Sequence, residues 1–203
     1  QNIAMERTGL PAFLSVDEEG GTVARVAANE AFGVTNVGNM SDIGAAGDAQ
    51  KAYDAGVTIG TYLKQLGFNV DYAPVADVLT NPGNTAIGTR SFGSDASMVA
   101  DMVIKELEGL SSQGVFGAVK HFPGQGGVSG DSHDGAVTLD KSLEELMQTE
   151  LVPFQKALEN GVSFVMVGHI SVPQVVGDNT PASLSQMMVS NVLREQLGYQ
   201  GIV

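Results

Sequence analysis

Residues 115–135 read VFGAVKHFPGQGGVSGDSHDG. From Val115 to His121 the stretch is short and almost wholly apolar, and it ends on Lys120 and His121. Such a run is a parallel strand covered on both faces. The segment after it is glycine-rich and carries Asp131, His133 and Asp134. This connection runs from Phe122 to Asp140, well beyond the ~2–6 residues of an ordinary strand-to-helix loop. In parallel α/β folds, the long loops after strand C-terminal ends hold the functional groups.

Working outward, similar apolar runs occur at Leu10–Val16, Phe68–Val78 and Ser163–Ile170, and another begins at Gly201. Helix-period segments separate them. An Ala-rich segment, 45–66, ends at Gly67. Met98, Val99, Met102, Val103, Leu107 and Leu110 form one stripe at helical spacing. Ser142 with Glu145 is a capping box, followed by apolar positions from Leu143 to Leu158 and a stop at Gly161. Pro153 is expected to kink or split that helix. A further helix is expected from about Ser183 to Leu197, closed by Gly198. Alternating strands and helices of this kind predict an α/β fold with a parallel sheet, open or closed. A second long loop, Asp77–Asp95, again follows a strand. The closing residues, LREQLGYQGIV, read as a helix, its stop and the opening of a strand. That predicts a fragment of a longer polypeptide, cut at both ends, with residues 1–203 forming part of one domain.

Composition narrows the function. The chain of 203 residues carries 23 Asp and Glu against 10 Lys and Arg, a net charge of −13. Nucleic acid and anionic membrane surfaces need clustered cations, so both are disfavoured as partners. A neutral small molecule fits better. The absence of cysteine removes disulfides, thiolate metal sites and cysteine nucleophiles together. No apolar run approaches the ~20 residues of a membrane span. Composition leaves the compartment, cytoplasmic or exported, and the oligomeric state open.

The charged residues fall at particular places. Lys120 and His121 close the strand of the opening stretch. Asp131 and His133 are two apart on a turn, so the carboxylate can accept a hydrogen bond from the ring, fix its tautomer and raise the basicity of the other nitrogen. Such a dyad can serve as general acid and then general base; a solvated Asp and His on a surface loop is the alternative. A phosphate cradle needs its lysine after the glycines, and Lys120 precedes them. A metal site from His121, Asp131, His133 and Asp134 lacks the usual ligand spacing and would face Lys120, so no metal and no cofactor is expected. Asp17 ends the first strand and can accept two sugar hydroxyls. Arg25, past a Gly–Gly turn, can donate in a fork. The competing reading is a structural Asp–Arg pair, and Arg90 in the second long loop carries the same ambiguity. His169 ends the run SFVMVGHI, either as a satisfied core histidine or as a site wall. Asp17, Asp77, Lys120 with His121, and His169 all fall where strands end. In a parallel sheet those ends share one rim, which favours a single site.

Taken together, KHFPGQGGVSGDSH (120–133), DEEGGTVAR (17–25), GTRSF (88–92), VMVGHI (165–170) and TPASLS (180–185) resemble the N-terminal domain of glycoside hydrolase family 3. The KHFPG…DSH form is similar to that of its β-N-acetylglucosaminidase branch. The resemblance covers residues 10–203 in order. It implies a (β/α)8 TIM-type barrel, present here incompletely, and a retaining exo-glycosidase acting on terminal β-linked N-acetylglucosamine. It implies His133 as acid/base with Asp131 as its partner. Asp17, Arg25, Arg90, Lys120 and His121 would be sugar-binding residues, and an aspartate nucleophile would come after the strand that begins at Gly201. The implied substrate is a β-GlcNAc-containing saccharide or muropeptide-type sugar, in bacterial cell-wall turnover, and a fragment without the nucleophile would be inactive. The commonest family form has His and Asp where this chain has Gln125 and Gly127. A family 3 β-glucosidase, a glycoside phosphorylase and a non-catalytic sugar-binding module are the rival readings.

Overall fold

The computed structural model describes residues 2–130 and 137–203. In chain order its elements are α1 (Asn2–Thr8), β1 (Ser15–Val16), β2 (Glu18–Gly20), β3 (Val23–Ala24), α2 (Met40–Ala45), α3 (Ala49–Leu66), β4 (Val70–Asp71) and α4 (Ala96–Ser112). Next come β5 (Phe116–Phe122), β6 (Val137–Thr138), α5 (Leu143–Gln148), α6 (Val152–Glu159), β7 (Phe164–Val167), β8 (Ile170–Ser171) and α7 (Pro173–Val176). A π-helical segment spans Met187–Gln196.

The main sheet is parallel, in the order β1-β4-β5-β7. Ile202 adds a parallel bridge beside Phe164. The spatial order matches the chain order, and α3, α4 and α6 pack against one another in that same order. Strands and helices therefore wind in one direction, each helix laid beside the last. Among the described residues the sheet does not close on itself.

Local chemistry explains the elements. Asp48 accepts from the Gln50 N–H at 3.1 Å and starts α3, and Gly67 in the left-handed region ends it. The expected Ala-rich helix from 45 is thus shorter: Gly47, at φ 63°, and the Asp48 cap separate α3 from α2. Asp95 caps α4 through the Met98 N–H at 2.8 Å. Ser142 and Glu145 form the reciprocal capping box, and the chain divides into α5 and α6 with Pro153 in the first turn of the second. α3 and α4 meet backbone to backbone: a Cβ at Gly109 would stand 2.3 Å from the Tyr53 carbonyl oxygen. α4 and α6 cover β5 over a core that includes Phe92, Val103, Val119, Phe122 and Phe154.

Three further expectations need correction. Of the run Leu10–Val16, only Ser15–Val16 pairs, and Leu10, Phe13 and Leu14 are exposed. This is the edge of the sheet, where a strand has one neighbour and no cover on its far side. The run Ser163–Ile170 breaks at Gly168–His169, and β8 leaves to pair with β6 in a separate two-stranded sheet. The helix expected over 183–197 begins at Met187, after a short 3-10 turn at Ala182–Leu184, and its turns are wide, with the Leu197 N–H reaching back to the Val192 carbonyl at 2.9 Å.

Candidate active site

β1, β5 and β7 all run towards the same rim, and a cavity of about 540 Å³ opens there. Asp17, Glu19, Arg25, Arg90, Lys120, His121, Gln125 and His169 line it, with Val23, Tyr72 and Met166 as apolar walls. The register between β5 and β7 shifts between Lys120 and Phe122, so His121 is an extra residue opposite Met166 and Val167. A bulge of this kind re-aims side chains. Here Lys120 and His121, neighbours in sequence, both reach the cavity. The peptide bond between them is cis.

The charges are held by one another. The Lys120 ammonium, 1% exposed, donates to Asp17 Oδ1 at 2.7 Å and to Glu19 Oε1 at 2.5 Å. Arg90 grips Glu19 with two parallel bonds, Nε to Oε2 at 2.8 Å and Nη2 to Oε1 at 2.9 Å, and also donates to the Ala86 carbonyl at 2.9 Å. Glu19 is therefore the hub between the two cations. Burial works to raise its pKa, but the Arg90 hydrogen bonds and the nearby Lys120 charge hold it below the ordinary glutamate value. Burial likewise opposes the Arg90 charge, and the Glu19 carboxylate outweighs it, so the Arg90 pKa rises. Asp17 keeps 40% of its side-chain surface exposed. With Oδ1 tied to Lys120, its carboxylate is fixed in place yet open to a ligand.

His121 is oriented from behind. Its Nδ1 lies 2.6 Å from Oδ2 of the fully buried Asp77, which also accepts the backbone N–H groups of His121 (3.2 Å) and Gln125 (2.6 Å). A carboxylate on Nδ1 selects the tautomer with its proton there, leaving Nε2 to accept. Arg90 Nη2 lies 3.5 Å from that nitrogen. Burial pushes the Asp77 pKa up, but the His121 ring and the two backbone N–H donors overcome it and hold the carboxyl below its ordinary value.

Of the residues expected from sequence, Asp17, Arg25, Arg90, Lys120 and His121 share the cavity. Arg25 is exposed on its wall; its backbone N–H donates to the Asp17 carbonyl, while the Asp17 carboxylate is taken by Lys120. His169 lines the same cavity, with Nδ1 at 2.8 Å from Ser183 Oγ. Asp77 stands behind the wall rather than on it. His133 and Asp131 lie outside the described residues. Glu19 is the site residue that sequence reasoning missed. Its only sequence signal is a pair of glutamates just past a strand end, and such a pair usually reads as solvated. Its neighbour Glu18, also buried, braces the turn beneath by accepting Val26 N–H, Ala27 N–H and the Tyr62 hydroxyl at 2.7, 2.9 and 2.8 Å. Among the described residues no group of acids and histidines could hold a metal ion.

A parallel α/β domain with locked, alternating charges around an open cavity at its strand ends is a small-molecule site of the kind such folds place there. The chain belongs to glycosyl hydrolase family 3: residues 1–203 match the model of that family's N-terminal domain. It is similar to β-hexosaminidase LpqI of Mycobacterium tuberculosis, 40% identical over 190 residues that make up 94% of this chain and 47% of the relative. Among solved structures it is similar to a family 3 β-N-acetylglucosaminidase from Paenibacillus sp., at 43% identity and a TM-score of 0.92, covering 100% of this chain and 38% of that one. It is also similar to NagZ from Neisseria gonorrhoeae in complex with N-trifluoroacetyl-D-glucosamine, at 34% identity and a TM-score of 0.84, covering 94% and 56%. The chain thus spans about half the length of LpqI and NagZ.

Proposed function

We propose that the protein is a retaining exo-glycosidase that removes terminal β-linked N-acetylglucosamine, with the described cavity as the subsite for that sugar. The observation that carries this reading is the Asp17–Lys120–Glu19–Arg90 chain of ion pairs, facing the cavity beside His121. A sugar is neutral and rich in hydroxyls. Charged groups that already neutralise one another can bind hydroxyls strongly without demanding a charged ligand, and their fixed positions lower the ordering cost of binding. Asp17 accepts hydroxyl protons, Arg90, Lys120 and Arg25 donate, and His121 presents Nε2. The names of the related β-hexosaminidases supply the sugar class.

In this reading the sequential sheet is part of a (β/α)8 barrel. The nucleophile is an aspartate after the strand that opens at Gly201, and residues 1–203 alone do not hydrolyse substrate. Retaining hydrolysis then has two steps. The nucleophile's oxygen bonds to the anomeric carbon as the bond to the leaving oxygen breaks, and the proton on His133 goes to that oxygen. Water next attacks the anomeric carbon, His133 takes its proton, and the carboxylate is released. Asp131 holds the His133 ring and stabilises its charged form. The natural substrate is a β-GlcNAc-containing saccharide of the cell-wall type.

Hydrolysis of an aryl β-N-acetylglucosaminide and of the matching aryl β-glucoside by the full chain tests this. A strong preference for the acetamido sugar is expected. Preference for glucose, or no hydrolysis of either, overturns it.

A further inference from the structure

Glu150 lies in the break between α5 and α6, and its side chain is wholly buried. It caps nothing: the first residue of α6 comes after Leu151, which makes no side-chain cap. Its Oε1 instead accepts from the Lys141 ammonium at 2.5 Å and from Thr80 Oγ1 at 3.3 Å. Thr80 belongs to the loop after β4 that also carries Arg90. Lys141 lies just past β6, which pairs with β8, and the adjoining Leu139 N–H is bonded to the Ser171 carbonyl at 2.9 Å.

The loop that leaves β5 packs against the same side chain. A Cβ at Gly124 would stand 2.7 Å from Glu150 Cβ, and one at Gly127 would stand 3.2 Å from Glu150 Oε1 and 2.8 Å from Thr80 Oγ1. Only glycine lets the backbone approach so closely. One buried side chain therefore touches the outgoing limb of the β5–β6 connection, its returning limb and the neighbouring loop. A buried ion pair is a weak source of net stability, because desolvating both charges costs about as much as their attraction returns. What it does provide is a defined geometry between the pieces it joins.

We infer that Glu150, with Lys141, is a positioning pair that fixes both limbs of the connection bearing His133 and so sets where that residue meets the leaving group. The inference rests on the acid/base role proposed for His133. It concerns the described limbs, Pro123–Gly130 and Val137–Lys141. It makes Glu150 no catalytic residue: Glu150 does not line the sugar cavity.

The test uses the full chain, with Glu150→Gln, Lys141→Met and His133→Ala compared on two aryl β-N-acetylglucosaminides. One has a dinitrophenyl leaving group, which departs without a proton, and the other a methoxyphenyl group, which needs one. kcat/KM on the methoxyphenyl substrate should fall about tenfold to a hundredfold in Glu150→Gln, as expected when a catalytic group is misplaced by roughly an ångström. On the dinitrophenyl substrate it should change less than about threefold, since that step needs no general acid. Lys141→Met, at a partly exposed position, should show the same selectivity and keeps the test alive if Glu150→Gln fails to fold. Equal losses on both substrates, or no loss on either, overturn the positioning role. If His133→Ala shows the leaving-group selectivity and the other two do not, only this inference fails. If His133→Ala lacks that selectivity, or the unaltered protein hydrolyses neither substrate, the functional reading falls and this inference with it.

Discussion

Asp77 accepts His121 twice, at Nδ1 (2.6 Å) and at the backbone N–H (3.2 Å), across 44 residues of chain. The carboxylate is fully buried, so its only reason to be charged is the set of donors around it. Asp77→Asn keeps the shape and removes the charge. The amide can also present N–H to His121 Nδ1, which reverses the tautomer and turns Nε2 from acceptor to donor. Losing a charge-assisted hydrogen bond costs about 1.5–3 kcal/mol, or roughly tenfold to a hundredfold in kcat/KM. The steady-state constants of Asp77→Asn check this; unchanged kcat/KM would show that His121 needs no fixed tautomer.

Lys120→Met tests the ion-pair hub. The replacement fills a similar volume but leaves Asp17 without its described partner and Glu19 with Arg90 alone. Removing one member of a buried pair costs about 3–5 kcal/mol of stability because the other charge stays behind. The same variant should raise KM for the acetamido sugar by at least about tenfold. Thermal unfolding and substrate titration measure the two effects separately. The double variant with Glu19→Gln should recover part of the stability but none of the binding.

Much of this site is legible in sequence because strand ends are. Lys120, His121, Asp17 and His169 each terminate an apolar run, and in parallel sheets that position alone predicts a shared rim. Glu19 is not legible that way. It belongs to a polar pair before two glycines, and only the antiparallel return of β3 against β2 turns it inward to Arg90 and Lys120. Glu106 is hidden for the opposite reason. Its spacing from Met102 and Leu110 places it on the buried stripe of α4, yet a glutamate breaks the apolar pattern that marks the stripe. The run Leu10–Val16 misled because hydrophobicity reports affinity for cover, not its presence: Leu10 is 68% exposed. The wide turns of Met187–Gln196 carry no sequence signal that we can identify.

Ser142→Ala separates fold from function. Its hydroxyl accepts the Glu145 N–H at 3.3 Å, while the Glu145 carboxylate accepts the Ser142 N–H at 2.8 Å. Loss of such a cap costs about 1 kcal/mol. A drop of that size in unfolding free energy is expected, with kcat and KM within about twofold, since the cap touches no residue of the cavity. A larger loss of activity would mean that α5 communicates with the site through Glu150.

Glu106 gives the protein an alkaline weakness. It is wholly buried, neither carboxyl oxygen has a hydrogen-bond partner among the described residues, and its pKa is pushed up to about 8. Burial is the main cause; the Glu19 charge adds to it and the Lys120 charge opposes it. Asp71, fully buried and electrostatically coupled to Glu106, is also raised, first by burial. An unfolded glutamate titrates near 4.5, so between that value and about 8 the folded state holds a proton that the unfolded state has released. Stability from this group is full below the unfolded pKa and is lost as pH rises through the folded one. The unfolding free energy should therefore fall between pH 5 and pH 8 by on the order of a few kcal/mol, and the melting temperature with it. Glu19 and Asp77, whose pKa values are lowered, act only on the acid side of this window. Glu106→Gln keeps the neutral shape at every pH and should flatten the slope, leaving the share due to Asp71. Melting curves of both proteins at several pH values decide it: parallel slopes would mean that Glu106 carries its charge in the folded protein throughout.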